Sequence, residues 1–377
     1  MFRTKNRLPA LSYYYKGQRT SIWRSAQCMT GIMGQRCKED EAMINQIIMT
    51  APVHRKLYIV DARSQLAAHG NRVKGGGFEQ EQYYSQCQVD FGNIENIHAV
   101  RDAYKSLALL CNSHLQTKNQ KKIMSKIEGS GWLGLLKNIL HYSSEIANRV
   151  AVLKQNCLVH CSDGWDRTAQ LCSLSEMMID PYYRTVRGFE ALIEKEWVSF
   201  GHKFGSRSGH FCDDTVCPGE RSPVFVQFMD ACYQLLTQFP THFQFNTKLL
   251  LFLAHHVYSC KFGTFLGDNE RTREKEGLIK DKTTSIWTYV NDNVYDFLNP
   301  FYQESDDILK PSCDYLAIKL WKEHFLAFSE ITKYQPDEAQ ISPDDHKDSI
   351  MKKVLMENLL MKKRIAQLEA SEQEYPS

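Results

Sequence analysis

Long apolar runs are missing from this chain of 377 residues. The longest, Leu249 to Ala254, is broken by His255 and His256 and falls far short of the roughly 20 residues needed to cross a bilayer. The opening stretch, Met1 to Tyr15, carries basic residues with no apolar core of secretory length behind them. A charge excess of either sign is missing as well. The formal net charge is +2 and no long Lys/Arg block occurs, so nothing argues for nucleic acid as a partner. An anionic partner would have to be met by a local basic cluster. Cysteine is not scarce, at twelve, but it lacks a pattern. The closest pairs, Cys157/Cys161 and Cys212/Cys217, have no matching second pair for a zinc site, and the spread from Cys28 to Cys313 forms no disulfide ladder. Free thiols in a reducing compartment are the simpler reading. No internal repeat is visible. These absences predict a cytosolic protein that reaches a membrane only from the water side.

What is present is ordinary globular material, 43% hydrophobic and 24% charged, long enough for one large domain or two ordinary ones. Strand and helix signals alternate. Lys56-Leu-Tyr-Ile-Val-Asp61 reads as a buried strand, and the loop Asn71 to Gly77 leads towards a short strand at Val89–Phe91. Residues His98–Cys111 place Val100, Ala103, Tyr104, Leu107 and Leu110 on one helical face, and Trp132–Val152 continues in a longer amphipathic helix. Asn156-Cys-Leu-Val-His160 is a compact apolar strand, followed by a glycine-bearing loop and a helix over Arg167–Met178. This order predicts an α/β domain with a central, largely parallel sheet flanked by helices. From Tyr182 to about Tyr302 the chain reads as mostly helical and part of the same domain. A polar, proline-punctuated segment, 336–347, reads as a linker. Beyond it, Met351, Asn358 and Ile365 alternate with Val354, Met361 and Leu368 at heptad spacing. That pattern fits a C-terminal coiled-coil helix over 348–372 with Asn358 at an a position, and it also fits a surface helix with one apolar stripe.

The chemistry sits on His160-Cys-Ser-Asp-Gly-Trp-Asp-Arg-Thr168. Among the twelve cysteines only Cys161 has an arginine in Cys-x5-Arg spacing, Arg167. A strand ending at His160 delivers the thiol to a tight turn, where the amides of Ser162 to Arg167 can converge on an anion. The helix that follows adds its positive end, and Arg167 can return a planar fork to two phosphate oxygens. The same groups favour the thiolate. Thr168 can donate its hydroxyl to the sulfur, and Gly164 permits the turn. The reaction this suggests is a double displacement. Cys161 attacks phosphorus and forms a phosphocysteine, an acid protonates the leaving alkoxide, and water then hydrolyses the intermediate. Asp166, beside Arg167, is the first choice for that acid and Asp163 the second. No metal or cofactor is required. A structural cysteine followed by a polar turn would not explain the preceding strand, the internal glycine, the following threonine and the helix pattern together.

Cys161 to Arg167 resembles the signature of the myotubularin family, the phosphoinositide 3-phosphatases. Further blocks agree in order: Asp61-Ala-Arg63, Lys74 to Glu79, Asn93 to His98, Gly129 to Trp132, Tyr182 to Phe189, Glu194 to Lys203, Ser222 to Phe225 and Phe262 to Leu266. The resemblance implies a cysteine-phosphatase-like domain over 1–335, incomplete at its N-terminus and without the lipid-binding pleckstrin-homology-like GRAM module. It implies hydrolysis of the 3-phosphate of phosphatidylinositol 3-phosphate and phosphatidylinositol 3,5-bisphosphate, with Cys161, Asp166 and Arg167 catalytic. Headgroup contacts map onto Asn71, Asn96, Ile97 and Arg207, beside the loop residues Ser162, Asp163, Gly164 and Trp165. Lys203 stands where a second arginine is usual, which keeps the charge and loses the bidentate fork. The family also implies peripheral attachment to endosomal membranes from the cytoplasm, and a homodimer, or a heterodimer with an inactive relative, through 348–372.

Two other functions share these features. A protein phosphatase for phosphotyrosine would use the same cysteine and arginine, although such enzymes more often take their acid from a separate loop. A non-catalytic phosphoinositide-binding or scaffold protein, its catalytic fold disabled by truncation, would not depend on Cys161.

Overall fold

Leu158 explains the layout. It lies in the middle strand of a sheet whose two faces are both covered, which is why the segment around it is apolar without interruption. The computed structural model describes residues 2–53, 56–113, 120–210, 219–276 and 279–327. The tail expected to form the linker and coiled coil lies outside these residues.

The elements that build the site follow in chain order. They are strands β1 (Ala10–Tyr15) and β2 (Thr20–Ala26), helix α1 (Lys38–Met49), β3 (Leu57–Asp61), α2 (Gln65–Val73), β4 (Cys87–Phe91), α3 (Ile97–Ser113), α4 (Gln120–Gly129), α5 (Trp132–Ala151), β5 (Cys157–Cys161) and α6 (Arg167–Ile179). Mostly helical chain follows, with α7 (Val186–Ile193), α8 (Phe204–Ser208), α9 (Val224–Gln238) and α10 (Thr247–Ser259). The sheet order is β1-β2-β5-β3-β4. Only the β1–β2 pair is antiparallel; β2–β5, β5–β3 and β3–β4 are parallel. The fold is therefore mixed α/β around a mostly parallel sheet, as expected.

Side chains on a strand alternate between faces, and here the alternation sorts the chemistry. On one face Leu57, Ile59 and Leu158 pack with Ile44, Ile47 and Ile48 of α1. On the other, the buried strip of α5 (Leu136, Ile139, Leu140, Ile146) and α6, buried from Thr168 to Ile179, complete the core. Neighbouring positions at the end of β5 thus separate: His160 faces the α1 side, and Cys161 emerges beyond the sheet where the chain turns into α6. The expected face of α3 is also present, with Val100, Ala103, Leu107 and Leu110 buried.

Strands β1 and β2 were not expected from the sequence. They carry Ser12 and Arg24 inside the protein, where Ser12 donates to Glu176 and Glu196, and Arg24 pairs with Glu196 at 2.5 Å. No helix among the described residues is long and apolar enough to cross a membrane.

Candidate active site

The loop from Cys161 to Arg167 joins the carboxyl end of β5 to the first turn of α6. This is the place where parallel α/β sheets present ligand sites. Gly164 occupies the left-handed region at φ 80°, and a Cβ there would overlap the Ser25 carbonyl. Glycine is thus required twice over, by conformation and by contact. Thr168 and Gly164 converge on the sulfur. The Thr168 hydroxyl lies 3.4 Å from Cys161 Sγ, and the Gly164 amide donates to it at 3.3 Å. Burial alone would raise the thiol's pKa, but the Arg167 charge and these two hydrogen bonds outweigh it and hold Cys161 below its ordinary value.

Above the sulfur opens a cavity of about 290 Å³. Its cationic groups are Lys5, Arg167, Lys203 and Arg207, and its anionic groups Asp163, Asp166 and Glu220. Asn96 and Ile97 close it at the start of α3, with Ser162 and Trp165 on the loop side. Arg167 is steadied by donation from Nη1 to the Ile94 carbonyl at 3.0 Å. The ammonium of Lys203 sits 4.9 Å from the centre of the Trp165 ring, with the guanidinium of Arg7 at 5.7 Å. The indole thereby holds one cation at the cavity edge.

The two carboxylates differ. Asp166 is buried, which by itself raises its pKa, yet Arg207 (Nη2 to Oδ2, 2.8 Å) and His202 (Nδ1 to Oδ1, 3.0 Å) hold it well below the usual carboxylate range. Nδ1 of His202 also lies 3.0 Å from the Trp165 carbonyl. Both neighbours accept, so Nδ1 carries the proton. Asp163 is pushed upward, first by burial and then by the charge of Asp166. Of the two, Asp163 is therefore the carboxyl readier to hold a proton.

Two expected contact residues stand off the cavity wall. Asn71, in α2, donates to Ser162 Oγ at 3.2 Å and so supports the loop. Gly164 turns its amide to the sulfur and its carbonyl to Arg24 (2.8 Å) and Arg7 (3.2 Å) on the reverse side. Sequence reasoning missed Lys5, Glu220, His202 and the two arginines behind the loop. His202 and Glu220 are recognisable only through Asp166 and Arg207, their spatial partners, and Lys5 and Arg7 belong to the opening stretch, whose basic residues were weighed only against a secretory signal.

On the opposite face, Nε2 of His160 meets Glu79 at 3.0 Å. Glu79 also binds Arg3 at 2.6 Å, and Arg3 forks onto Asp40 at 2.7 and 2.8 Å. All four residues are buried. Burial opposes the charge on each, but Glu79 is held far below, and His160 above, its ordinary value by their mutual attraction.

Comparison with known proteins agrees with this geometry. A family model for the myotubularin-like phosphatase domain matches residues 1–274. The chain is 40% identical over 338 residues to myotubularin of Xenopus laevis, covering 89% of this chain and 55% of that protein. It is 41% identical over 335 residues to the phosphatidylinositol-3,5-bisphosphate 3-phosphatase MTMR2 of Gallus gallus, covering 89% and 58%. To the phosphatidylinositol-3,5-bisphosphate 3-phosphatase MTMR6 of Mus musculus it is 41% identical over 330 residues, covering 87% and 52%. The chain spans about half the length of these relatives. By this match, the chain belongs to the myotubularin-like phosphatase family.

Proposed function

We propose that this chain removes the 3-phosphate of phosphatidylinositol 3-phosphate and phosphatidylinositol 3,5-bisphosphate through a phosphocysteine. The observation that carries the reading is the buried Cys161 thiol, held below its ordinary pKa at the floor of a cavity with four cationic side chains. The printed activities of MTMR2 and MTMR6 supply the substrate class. Cys161 attacks phosphorus as the thiolate. The loop amides and Arg167 take the charge that develops on the equatorial oxygens, and Lys203 with Lys5 faces the remaining headgroup charge.

Asp166 is proposed as the proton donor under one condition. A bound phosphate dianion competes for Arg207, and a carboxyl relieved of that cation moves back towards protonation. A second reading makes Asp163 the donor and leaves Asp166 anionic to orient the hydrolytic water. The upward shift of Asp163 favours it.

Phosphate release from short-chain phosphatidylinositol 3-phosphate should exceed release from phosphotyrosine peptides. It should vanish in Cys161→Ser while the lipid still binds. Preference for the peptides would give the site to a protein phosphatase, and equal turnover by variant and parent would remove the covalent route.

The finer assignments belong to the same proposal: a phosphatase domain over 1–335, a linker over 336–347, and a coiled coil over 348–372 that pairs two copies or one copy with an inactive relative, acting from the cytoplasm on endosomal membranes. Sedimentation of the full chain as a monomer at high concentration would dismiss the pairing.

A further inference from the structure

Glu220 is the one carboxylate of the cavity that the chemistry leaves without a task. Asp163 and Asp166 are the two candidates for the proton donor; Glu220 lines the same cavity and binds the other end of Arg207. Its place is fixed by its neighbours. The Gly219 carbonyl accepts from Arg101 of α3 at 3.1 Å, and the Ser222 hydroxyl donates to the Ile97 carbonyl at 2.7 Å. The Ser222 amide donates to the Arg207 carbonyl at 3.0 Å. The backbone on both sides of Glu220 is thus tied to α3 and to Arg207, and Ile97 and Arg207 are themselves cavity residues.

Arg207 has little left to offer a ligand. A guanidinium carries five N–H groups. Nε donates to Asp166 Oδ1 at 3.2 Å and Nη2 to Oδ2 at 2.8 Å, while Nη1 donates to both the carbonyl (3.1 Å) and the carboxylate (2.6 Å) of Glu220. Four of the five are therefore taken. The side chain of Glu220 is 44% exposed against 6% for Arg207, so of this pair it is the carboxylate that meets solvent. Charge across the whole cavity follows the same pattern. Its four cations face three carboxylates and the Cys161 thiolate, which leaves no positive excess when all are ionised. A phosphate monoester brings about two negative charges and finds Arg167 and the loop amides. A headgroup with another phosphate brings about two more, and Lys203 and Lys5 must meet them beside Glu220, with Arg207 already engaged.

We propose that Glu220 is a specificity residue. Its carboxylate, held on Arg207, selects headgroups whose ring carries a single phosphate besides the phosphodiester and works against those carrying two. Discrimination can be built from a repulsive element as well as from an attractive one. The inference rests on the lipid-phosphatase reading and narrows it to the monophosphorylated lipid as the preferred substrate.

The test compares Glu220→Gln with the parent in the full chain. Glutamine keeps the length of the side chain and an oxygen acceptor for Arg207, so folding should be preserved and the charge alone is lost. Soluble short-chain phosphatidylinositol 3-phosphate and phosphatidylinositol 3,5-bisphosphate are assayed separately, and the ratio of their kcat/KM values is read. Any effect of the substitution on Cys161 or Asp166 acts on both substrates and cancels in that ratio. Relief of one like charge at close range should shift it about tenfold towards the bisphosphate. Glu220→Asp retains the charge and should stay near the parent's value. An unchanged ratio in the glutamine variant would overturn the proposal, as would a parent that already favours the bisphosphate. An equal shift in both variants would overturn it too, because shape and not charge would be the cause. Calorimetric binding of the isolated headgroups, inositol 1,3-bisphosphate and inositol 1,3,5-trisphosphate, separates this inference from the reading beneath it. A tenfold shift in relative affinity without turnover of either lipid would reject the phosphatase and keep the selection. Turnover of both lipids with no shift would reject the selection and keep the phosphatase.

Discussion

Replacing Thr168 by valine isolates one contribution to the reactivity of Cys161. The two side chains have nearly the same shape, so the buried start of α6 keeps its packing, and among the described residues the Thr168 hydroxyl donates to Cys161 Sγ at 3.4 Å. A hydrogen bond to a charged acceptor contributes about 1.5–3 kcal/mol. The long, soft sulfur contact belongs at the lower end, and about 1.4 kcal/mol is a factor of ten in an equilibrium. Below the thiol's titration the variant should hold about tenfold less thiolate than the parent. The Gly164 amide and the Arg167 charge still act, so the thiol stays more acidic than an unfolded one. Iodoacetamide alkylation of the Cys161 peptide, followed by mass spectrometry across pH, reads this directly and ignores the other cysteines. The two rate profiles should separate by about tenfold on the acid side and converge at high pH, where both thiols are ionised. The sign carries over to stability. Because the folded thiol titrates below an unfolded one, ionised Cys161 adds stability above the unfolded value of 9.0, and that contribution is lost as pH falls through the folded value. The variant should therefore be less stable than the parent mainly under alkaline conditions. Superimposable alkylation profiles would refute the role given to Thr168.

The order of the two carboxylates has an equally direct test. Asp166→Asn should lower turnover of a lipid alkyl phosphate by about 10²–10⁴-fold while sparing a substrate with an acidic leaving group such as p-nitrophenyl phosphate, and Asp163→Asn should be milder; the opposite ranking gives the proton to Asp163. Glu79→Gln removes the negative charge shared by Arg3 and His160 and should cost about 3–5 kcal/mol, because it leaves buried cations less well paired. Glu79 is depressed, so its contribution is present above the ordinary carboxylate value of 4.5 and lost below it; His160 is raised, so its contribution is full below 6.5 and lost as pH climbs through the folded value. Urea unfolding of the parent should show greatest benefit from the pair between these values, and a variant whose deficit is independent of pH would show that the pair is not ionised.

Parallel strands with both faces covered are legible because apolar continuity survives any arrangement of neighbours. Leu57–Asp61 and Cys157–Cys161 formed within a residue of where their sequences end, and the helix face of Val100, Ala103, Leu107 and Leu110 needed only its period. Strands β1 and β2 were invisible for the opposite reason. Ser12, Ser21 and Arg24 look solvated when read alone, and they are buried because partners distant in sequence, Glu176, Glu196 and Asn156, meet them. Polar strands in a core are licensed by tertiary pairing, which no window of sequence contains. The protonation of the two carboxylates is hidden in the sequence for the same reason. Adjacency to Arg167 marked Asp166 as the donor, but its protonation is governed by Arg207 and His202, from a helix and loop far along the chain.

The loop itself extends that lesson from charge to geometry. A sequence of seven residues specifies which amides are available, but their aim depends on what grips the other side of each peptide. In a trans peptide the carbonyl and the amide of one plane point in opposite directions, and the described chain has no cis bonds. Arg24 and Arg7 both donate to the Gly164 carbonyl from behind the loop, so the Trp165 amide in the same plane is directed away from them. The Gln27 amide likewise binds the Ser162 carbonyl at 3.2 Å, which turns the Asp163 amide the other way. Arg24 and Gln27 lie on and just beyond β2, and Arg7 is held by the Phe200 carbonyl at 2.6 Å. The anion nest is therefore oriented from outside, by the first strand pair and the opening basic stretch. Those are the segments whose polar composition made them least readable, and they set the geometry on which the most readable motif in the chain depends.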